Sequence, residues 1–107
     1  MLVKVCKTTE LKDGEMNRFD IGEMSVLVAR AGDRYFVTEY SCTHEEADLS
    51  LGLFSEGTIT CPLHQAKFEI LTGAALEGPN GENPNSIRSL RVYATKVENE
   101  ILWAEIP

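Results

Sequence analysis

Four side chains in this sequence have the types and spacing of metal ligands. Cys42-Thr43-His44 and, after sixteen intervening residues, Cys61-Pro62-Leu63-His64 each offer one thiolate and one imidazole from a short segment. Two sulfur and two nitrogen ligands suit either a tetrahedral zinc ion or an iron-sulfur cluster in which two histidines replace two cysteines. The spacing within each segment favours the cluster. Ligands two apart in an extended chain point the same way and lie roughly 6.5 Å apart, from a rise of about 3.3 Å per residue. Such a pair can serve two neighbouring irons, with Cys42 and Cys61 on one and His44 and His64 on the other. Structural zinc loops more often space their paired ligands by two to four residues, so that both close on a single ion.

The elements that would carry these loops read as β-structure. Short alternating or apolar runs separated by turn signals dominate, and no long helix is evident, so the expected fold is all-β with Greek-key or sandwich character. Strands are expected at residues 3–7, 16–21, 25–31, 34–40, 58–61, 67–71, 90–97 and 100–106. Turns are expected at Asp13-Gly14, Ala31-Gly32-Asp33, Glu56-Gly57 and Glu98-Asn99, where Gly, Asp and Asn tolerate the backbone angles of hairpins. Residues 9–14 have room for one helical turn. The stretch from Glu77 to Ser86 contains two Pro, two Gly and three Asn, too many breakers for regular structure, and reads as a surface loop. The organisation that follows is one domain over residues 1–107, with a ligand-bearing subdomain at about 41–68 and a proline-bearing loop at about 77–86.

Composition narrows the function. A chain of 107 residues can bury one core without disulfide staples, and it is small for a multistep enzyme. No apolar run approaches the roughly 20 residues that span a bilayer, and the amino terminus leads straight into a strand-like stretch, so a cytoplasmic protein without a membrane segment is expected. The net charge of −7 argues against nucleic acid or an anionic membrane as partner and for a basic protein surface. Of the three cysteines, Cys6 is left over and reads as a small buried thiol on the first strand. Trp103 and Tyr93 read as core residues, and Glu45-Glu46 as a solvated turn.

The segment from Cys42 through Glu45-Glu46-Ala47-Asp48-Leu49-Ser50-Leu51 to Gly52, and that from Cys61 through His64-Gln65-Ala66-Lys67 to Phe68, resemble the two cluster loops of small soluble Rieske-type ferredoxins. Thr72-Gly73 and Gly78-Pro79 follow where those ferredoxins have a turn and a proline-bearing loop. The resemblance implies a Rieske fold: an antiparallel β-sandwich or barrel-like basal domain with an inserted cluster-binding subdomain. It also implies one 2Fe-2S cluster held by Cys42, His44, Cys61 and His64, with the 77–86 loop over the cluster. The function implied is that of a monomeric one-electron carrier with no catalytic residues of its own. Its donor would be an NAD(P)H-dependent, flavin-dependent reductase and its acceptor a terminal oxygenase. The alternative is a small Rieske-like subunit of a larger redox enzyme such as nitrite reductase, and a structural zinc module is a third reading.

Histidine ligation has an electrostatic consequence. With two thiolates and neutral imidazoles the oxidised cluster carries no net charge, whereas four thiolates would leave it doubly negative and harder to reduce in a low dielectric. Potentials of about −150 to +300 mV, against about −400 mV for plant-type ferredoxins, reflect this. Rieske proteins of respiratory complexes add a disulfide between the loops and two hydroxyl donors to the cluster. The matching positions here are Ala47 and Leu63 for the cysteines, Ala66 for the serine and Phe68 for the tyrosine, so all these devices are absent. Glu45, Glu46 and Asp48 add nearby negative charge, and a low potential within the range is expected. Gln65 stands where glycine is common, which would strain the backbone if that position needs a positive φ.

Overall fold

A computed structural model describes residues 1–43 and 46–107; His44 and Glu45 lie outside the described residues. Among the described residues the chain forms β1 (Leu2–Lys7), β2 (Met16–Ile21), β3 (Met24–Ala31), β4 (Arg34–Glu39), β5 (Leu53–Ser55), β6 (Thr58–Thr60), β7 (Lys67–Glu69), β8 (Ala75–Glu77), β9 (Val92–Tyr93), β10 (Thr95–Glu98) and β11 (Ile101–Glu105). No α-helix is present among them, and the expected helical turn near residue 9 is a single 3-10 turn, Thr8–Glu10. The strands make three antiparallel sheets, ordered β1-β11-β10, β2-β3-β4-β9 and β5-β6-β7-β8.

The first two sheets form the base, and both ends of the chain lie in it. The Met1 ammonium donates to the Ile106 carbonyl at 2.7 Å and to the Glu105 carboxylate at 2.6 Å. Strand β3 is the shared wall. Its run Val26-Leu27-Val28-Ala29 is buried on both faces. Val26 and Val28 pack with Val5, Val37, Leu102 and Ala104, whereas Leu27 and Ala29 pack with Ile59, Phe68 and Ile70 of the third sheet. Successive strand residues point to opposite faces, so one apolar run serves two cores.

The third sheet is an insertion between β4 and β9, which are themselves neighbours: Val37 pairs with Tyr93 and Thr38 with Val92. The chain leaves the base at Glu39 and returns beside it, where the Glu39 N–H donates to the Arg91 carbonyl at 3.0 Å. Leu49, Ile59 and Phe68 are fully buried in this insertion. Each contributes roughly 1.5–3 kcal/mol of burial, in a core that the inserted sheet shares with Leu27 and Ala29 of β3.

Several expectations are corrected. Strands β5 and β8 were not anticipated, and the inserted sheet runs on to Glu77 rather than ending near residue 68. The expected strand at 90–97 is two strands: β9 pairs with β4 and β10 with β11, the chain changing sheets at Ala94. The 77–86 segment is not featureless, since it holds two 3-10 turns, Pro79–Gly81 and Pro84–Ser86. Trp103 is only half-buried, the core positions of β11 being taken by Leu102 and Ala104. Cys6 is buried as expected, opposite Leu102, and burial followed by the nearby Glu10 charge pushes its thiol up to about 11.

Candidate metal centre

Two loops of the same construction form the exposed end of the insertion. In the first, Ser41 and Asp48 form an antiparallel bridge, and the Cys42 N–H donates to the Ala47 carbonyl at 2.9 Å. In the second, Thr60 pairs with Lys67, and the Cys61 N–H donates to the Ala66 carbonyl at 2.8 Å. Each loop thus runs from a cysteine to an alanine five residues on, closed by the same backbone bond. Cys42 and Cys61 are 4% and 1% exposed and belong to one buried cluster with Ala47, Ala66, Leu49 and Phe68. Ala47 and Ala66 put small side chains into that cluster at the far end of each loop.

The second loop, whose expected ligands stand three residues apart, is not extended; of the pair two apart, Cys42 and His44, the histidine lies outside the described residues. Residues 62–65 turn back on themselves, with His64 and Gln65 both at φ +59°. The strain anticipated at Gln65 is therefore present, and its neighbour shares it. A single residue in this left-handed region costs roughly 1–2 kcal/mol relative to ordinary conformations. Contacts from elsewhere hold it there. The His64 carbonyl accepts a bond from the Asn80 N–H at 2.6 Å, so the proline-bearing loop is fastened to the second ligand loop.

A close backbone approach brings the loops together. After the 3-10 turn Leu49–Leu51, Gly52 lies so near the second loop that a Cβ there would fall 2.0 Å from the Thr60 carbonyl oxygen and 3.2 Å from Pro62 Cδ. Only glycine permits this contact. On the other side, the Thr43 hydroxyl donates to the Arg88 carbonyl, and the Arg88 guanidinium grips both oxygens of Glu39 at 2.7 and 3.1 Å. Arg88 is thus part of a clasp at the neck of the insertion while its side chain stays largely exposed, and Lys67 is likewise paired, to Glu77 at 3.5 Å.

The structure places Cys42 and Cys61 together in the interior and His64 at the exposed tip. His44, the fourth expected ligand, lies outside the described residues, as does Glu45. Among the described residues no three His, Cys, Asp or Glu side chains gather as a complete site for a single metal ion. Two buried thiols from matching loops, small neighbours and an imidazole on the outer side suit a cluster with unlike inner and outer ends. The donor set fits a 2Fe-2S group. The expected charge of Asp48 is qualified by its contacts. Partial burial opposes that charge, but hydrogen bonds from Ser50 and from Arg18 outweigh it and hold the carboxyl below its ordinary value. Neither Arg18 nor Asn80 stands out in the sequence, because each is distant in the chain from the loop it touches; Gly52 lies within the quoted motif, though its packing role does not show there.

Residues 1–94 match the Rieske 2Fe-2S domain family. The ferredoxin component of biphenyl 2,3-dioxygenase from Rhodococcus jostii is 34% identical over 98% of this chain and 92% of its own length. The solved ferredoxin of carbazole 1,9a-dioxygenase from Nocardioides aromaticivorans is 30% identical and superimposes with a TM-score of 0.87, covering 100% of this chain and 99% of that one. A second match, at 29% identity and TM-score 0.83 over 96% of this chain and 100% of that one, comes from a complex of reduced oxygenase and oxidized ferredoxin in carbazole 1,9a-dioxygenase. The chain belongs to the Rieske 2Fe-2S domain family. It carries one 2Fe-2S cluster, and these relatives are electron-carrying ferredoxin components of oxygenase systems rather than catalytic ones.

Proposed function

We propose that this chain is the ferredoxin of a multicomponent oxygenase system. It takes one electron from an NAD(P)H-dependent, flavin-containing reductase and delivers it to a terminal oxygenase. Cys42 and Cys61 as thiolates and His44 and His64 as imidazoles would hold the cluster, and residues 1–107 act as one unit, a monomer in the cytoplasm. The observation that carries this reading is the pair of matching loops, which join two buried cysteines in one core and leave His64 at the exposed tip. When bound, the cluster supplies a single-electron couple.

The residues around it do the rest. The Cys42 and Cys61 loops are rigid at their bases because each is closed by a strand pairing and a backbone bond. Leu49, Ile59 and Phe68 exclude water from beneath them. Leu51 and Leu53, 76% and 68% exposed, line a groove with Cys61, Pro62 and Gln65 of the second loop, and Leu63 within that loop is 47% exposed, giving apolar surface for a transient redox partner. The net charge of −7 favours partners with basic docking faces. Ala66 and Phe68 are fully buried where respiratory Rieske proteins have hydroxyl donors, which supports a potential at the low end of the family.

Iron and acid-labile sulfide analysis, with electron paramagnetic resonance of the reduced protein, tests the cluster. Two irons and two sulfides per chain are expected, lost in Cys42→Ser and in Cys61→Ser but kept in Cys6→Ser. One zinc and no sulfide would refute the reading. Reduction by a flavin reductase, followed by turnover of an added oxygenase, tests the carrier role. Isolation only in a stoichiometric complex with a large catalytic chain would instead favour a subunit of a larger redox enzyme.

A further inference from the structure

The first ligand loop is braced from outside by a charged contact that the metal-binding pattern does not include. Arg18, on β2, lays its guanidinium over the Tyr40 ring at 4.2 Å from the centroid. Its Nη1 donates to Asp48 Oδ2 at 3.3 Å, and its Nη2 donates to Ser25 Oγ at 3.1 Å. Ser25 Oγ in turn donates to Asp20 at 2.6 Å, so the guanidinium is held on three sides. The other oxygen of Asp48 accepts from the Ser50 N–H and hydroxyl at 2.9 and 2.6 Å.

Asp48 is not a mobile surface acid. It pairs with Ser41 at the mouth of the loop and directly follows Ala47, whose carbonyl accepts the Cys42 N–H. Its side chain is 22% exposed, so water screens its charge only in part. A carboxylate fixed here opposes every electron added to a centre held by Cys42, and a guanidinium fixed against it offsets that opposition.

We infer that Arg18 is a positioning residue of the redox centre: by pairing with Asp48 against Tyr40 it cancels a fixed negative charge at the base of the Cys42 loop and keeps the reduction potential higher than Asp48 alone would allow. This rests on the ligand set proposed above. Mere anchoring of the loop is a different role with a different signature. Arg18→Gln and Asp48→Asn break the same ion pair, so an anchor would respond alike to both. Opposite charge changes should move the potential in opposite directions.

The test is protein-film voltammetry on the intact holoprotein, with iron content and the reduced-state resonance spectrum as controls. Arg18→Gln should shift the midpoint down and Asp48→Asn should shift it up. The double variant should return close to the starting value, and Arg18→Lys should stay near it despite losing the planar stack. Shifts of the same sign in the two single variants, or no shift in either with the cluster intact, overturn the proposal. If Arg18→Gln fails to hold iron, Asp48→Asn decides alone, and the absence of an upward shift there overturns it. Absence of two irons from the unaltered protein would defeat the ligand assignment instead.

Discussion

Replacing Gly52 with alanine isolates the contact that joins the two ligand loops. The backbone at Gly52 has φ −89°, which any residue adopts, so the substitution introduces no conformational strain. The new Cβ would stand 2.0 Å from the Thr60 carbonyl oxygen and 3.1 Å from the carbonyl carbon, both backbone atoms unable to rotate away. Restoring an ordinary contact near 3.5 Å requires the loops to part by more than about 1 Å. Overpacking of that kind costs on the order of 1–3 kcal/mol. A metal site tolerates about 0.5 Å of misplacement, so cluster binding should suffer more than folding does. Gly32→Ala is the control: it has φ +64° with nothing within 4 Å of its Cβ, so it carries a backbone cost of about 1–2 kcal/mol far from the loops. Iron content, visible absorption and urea denaturation of the two variants provide the assay. Gly52→Ala should retain the basal fold and lose most of its cluster, whereas Gly32→Ala should lose stability and keep the cluster. Full iron occupancy in Gly52→Ala, with stability within about 0.5 kcal/mol of the original, would refute the reasoning.

At Gln65, φ +59° makes glycine the better fit, so Gln65→Gly should raise stability by roughly 0.5 kcal/mol after the greater unfolded-state entropy of glycine is subtracted, while Gln65→Val should lower it by more than about 1 kcal/mol. A destabilising glycine in denaturant titrations would show that the turn is not strained. Ala66→Ser with Phe68→Tyr should raise the reduction potential by on the order of 50 mV per donor, taking about 1 kcal/mol per hydrogen bond that strengthens on reduction. Voltammetry showing no change would remove hydroxyl donors as the cause of a low potential. The Cys6 thiol, raised by burial to about 11, stays neutral in the folded chain while an unfolded chain ionises it above about 9, so stability should fall as pH rises across that window. The fall approaches 1.4 kcal/mol per unit, and it should be missing from the Cys6→Ala variant in unfolding curves at pH 8 and 10.5.

Ligand types were legible because chemistry limits them: both histidines of the chain sit within three residues of a cysteine. Strand β3, the turn at Gly14 and the hairpins at Gly32 and Glu56-Gly57 were legible from apolar runs and turn residues. Strands β5 and β8 were not, because three-residue strands with exposed Leu53 and Leu76 carry no period to detect. The break at Ala94 escaped for a different reason: alternation continues through it while the hydrogen-bonding partner changes, and partners leave no local trace. Compensation of Asp48 by Arg18 joins residues thirty apart, and the fastening of His64 by Asn80 depends on the 3-10 turn Pro79–Gly81. Such pairings exist only once the sheets are assembled.

Because Glu39 and Arg91 are hydrogen-bonded neighbours, residues 40–90 enter and leave the base through one narrow gate. Closing a loop of that length costs about 2 kcal/mol more than closing a four-residue turn, and the Glu39 clasp on Arg88 and on the Arg91 N–H counters this penalty at the gate itself. The redox unit is therefore a cassette on a hairpin. A short turn from β4 to β9 would leave a metal-free scaffold once Leu27, Ala29 and Phe36, which the insertion covers, are replaced by polar residues. Conversely, its two ends, presented at the roughly 4.8 Å spacing of adjacent strands, match the tip of any antiparallel hairpin into which it is spliced.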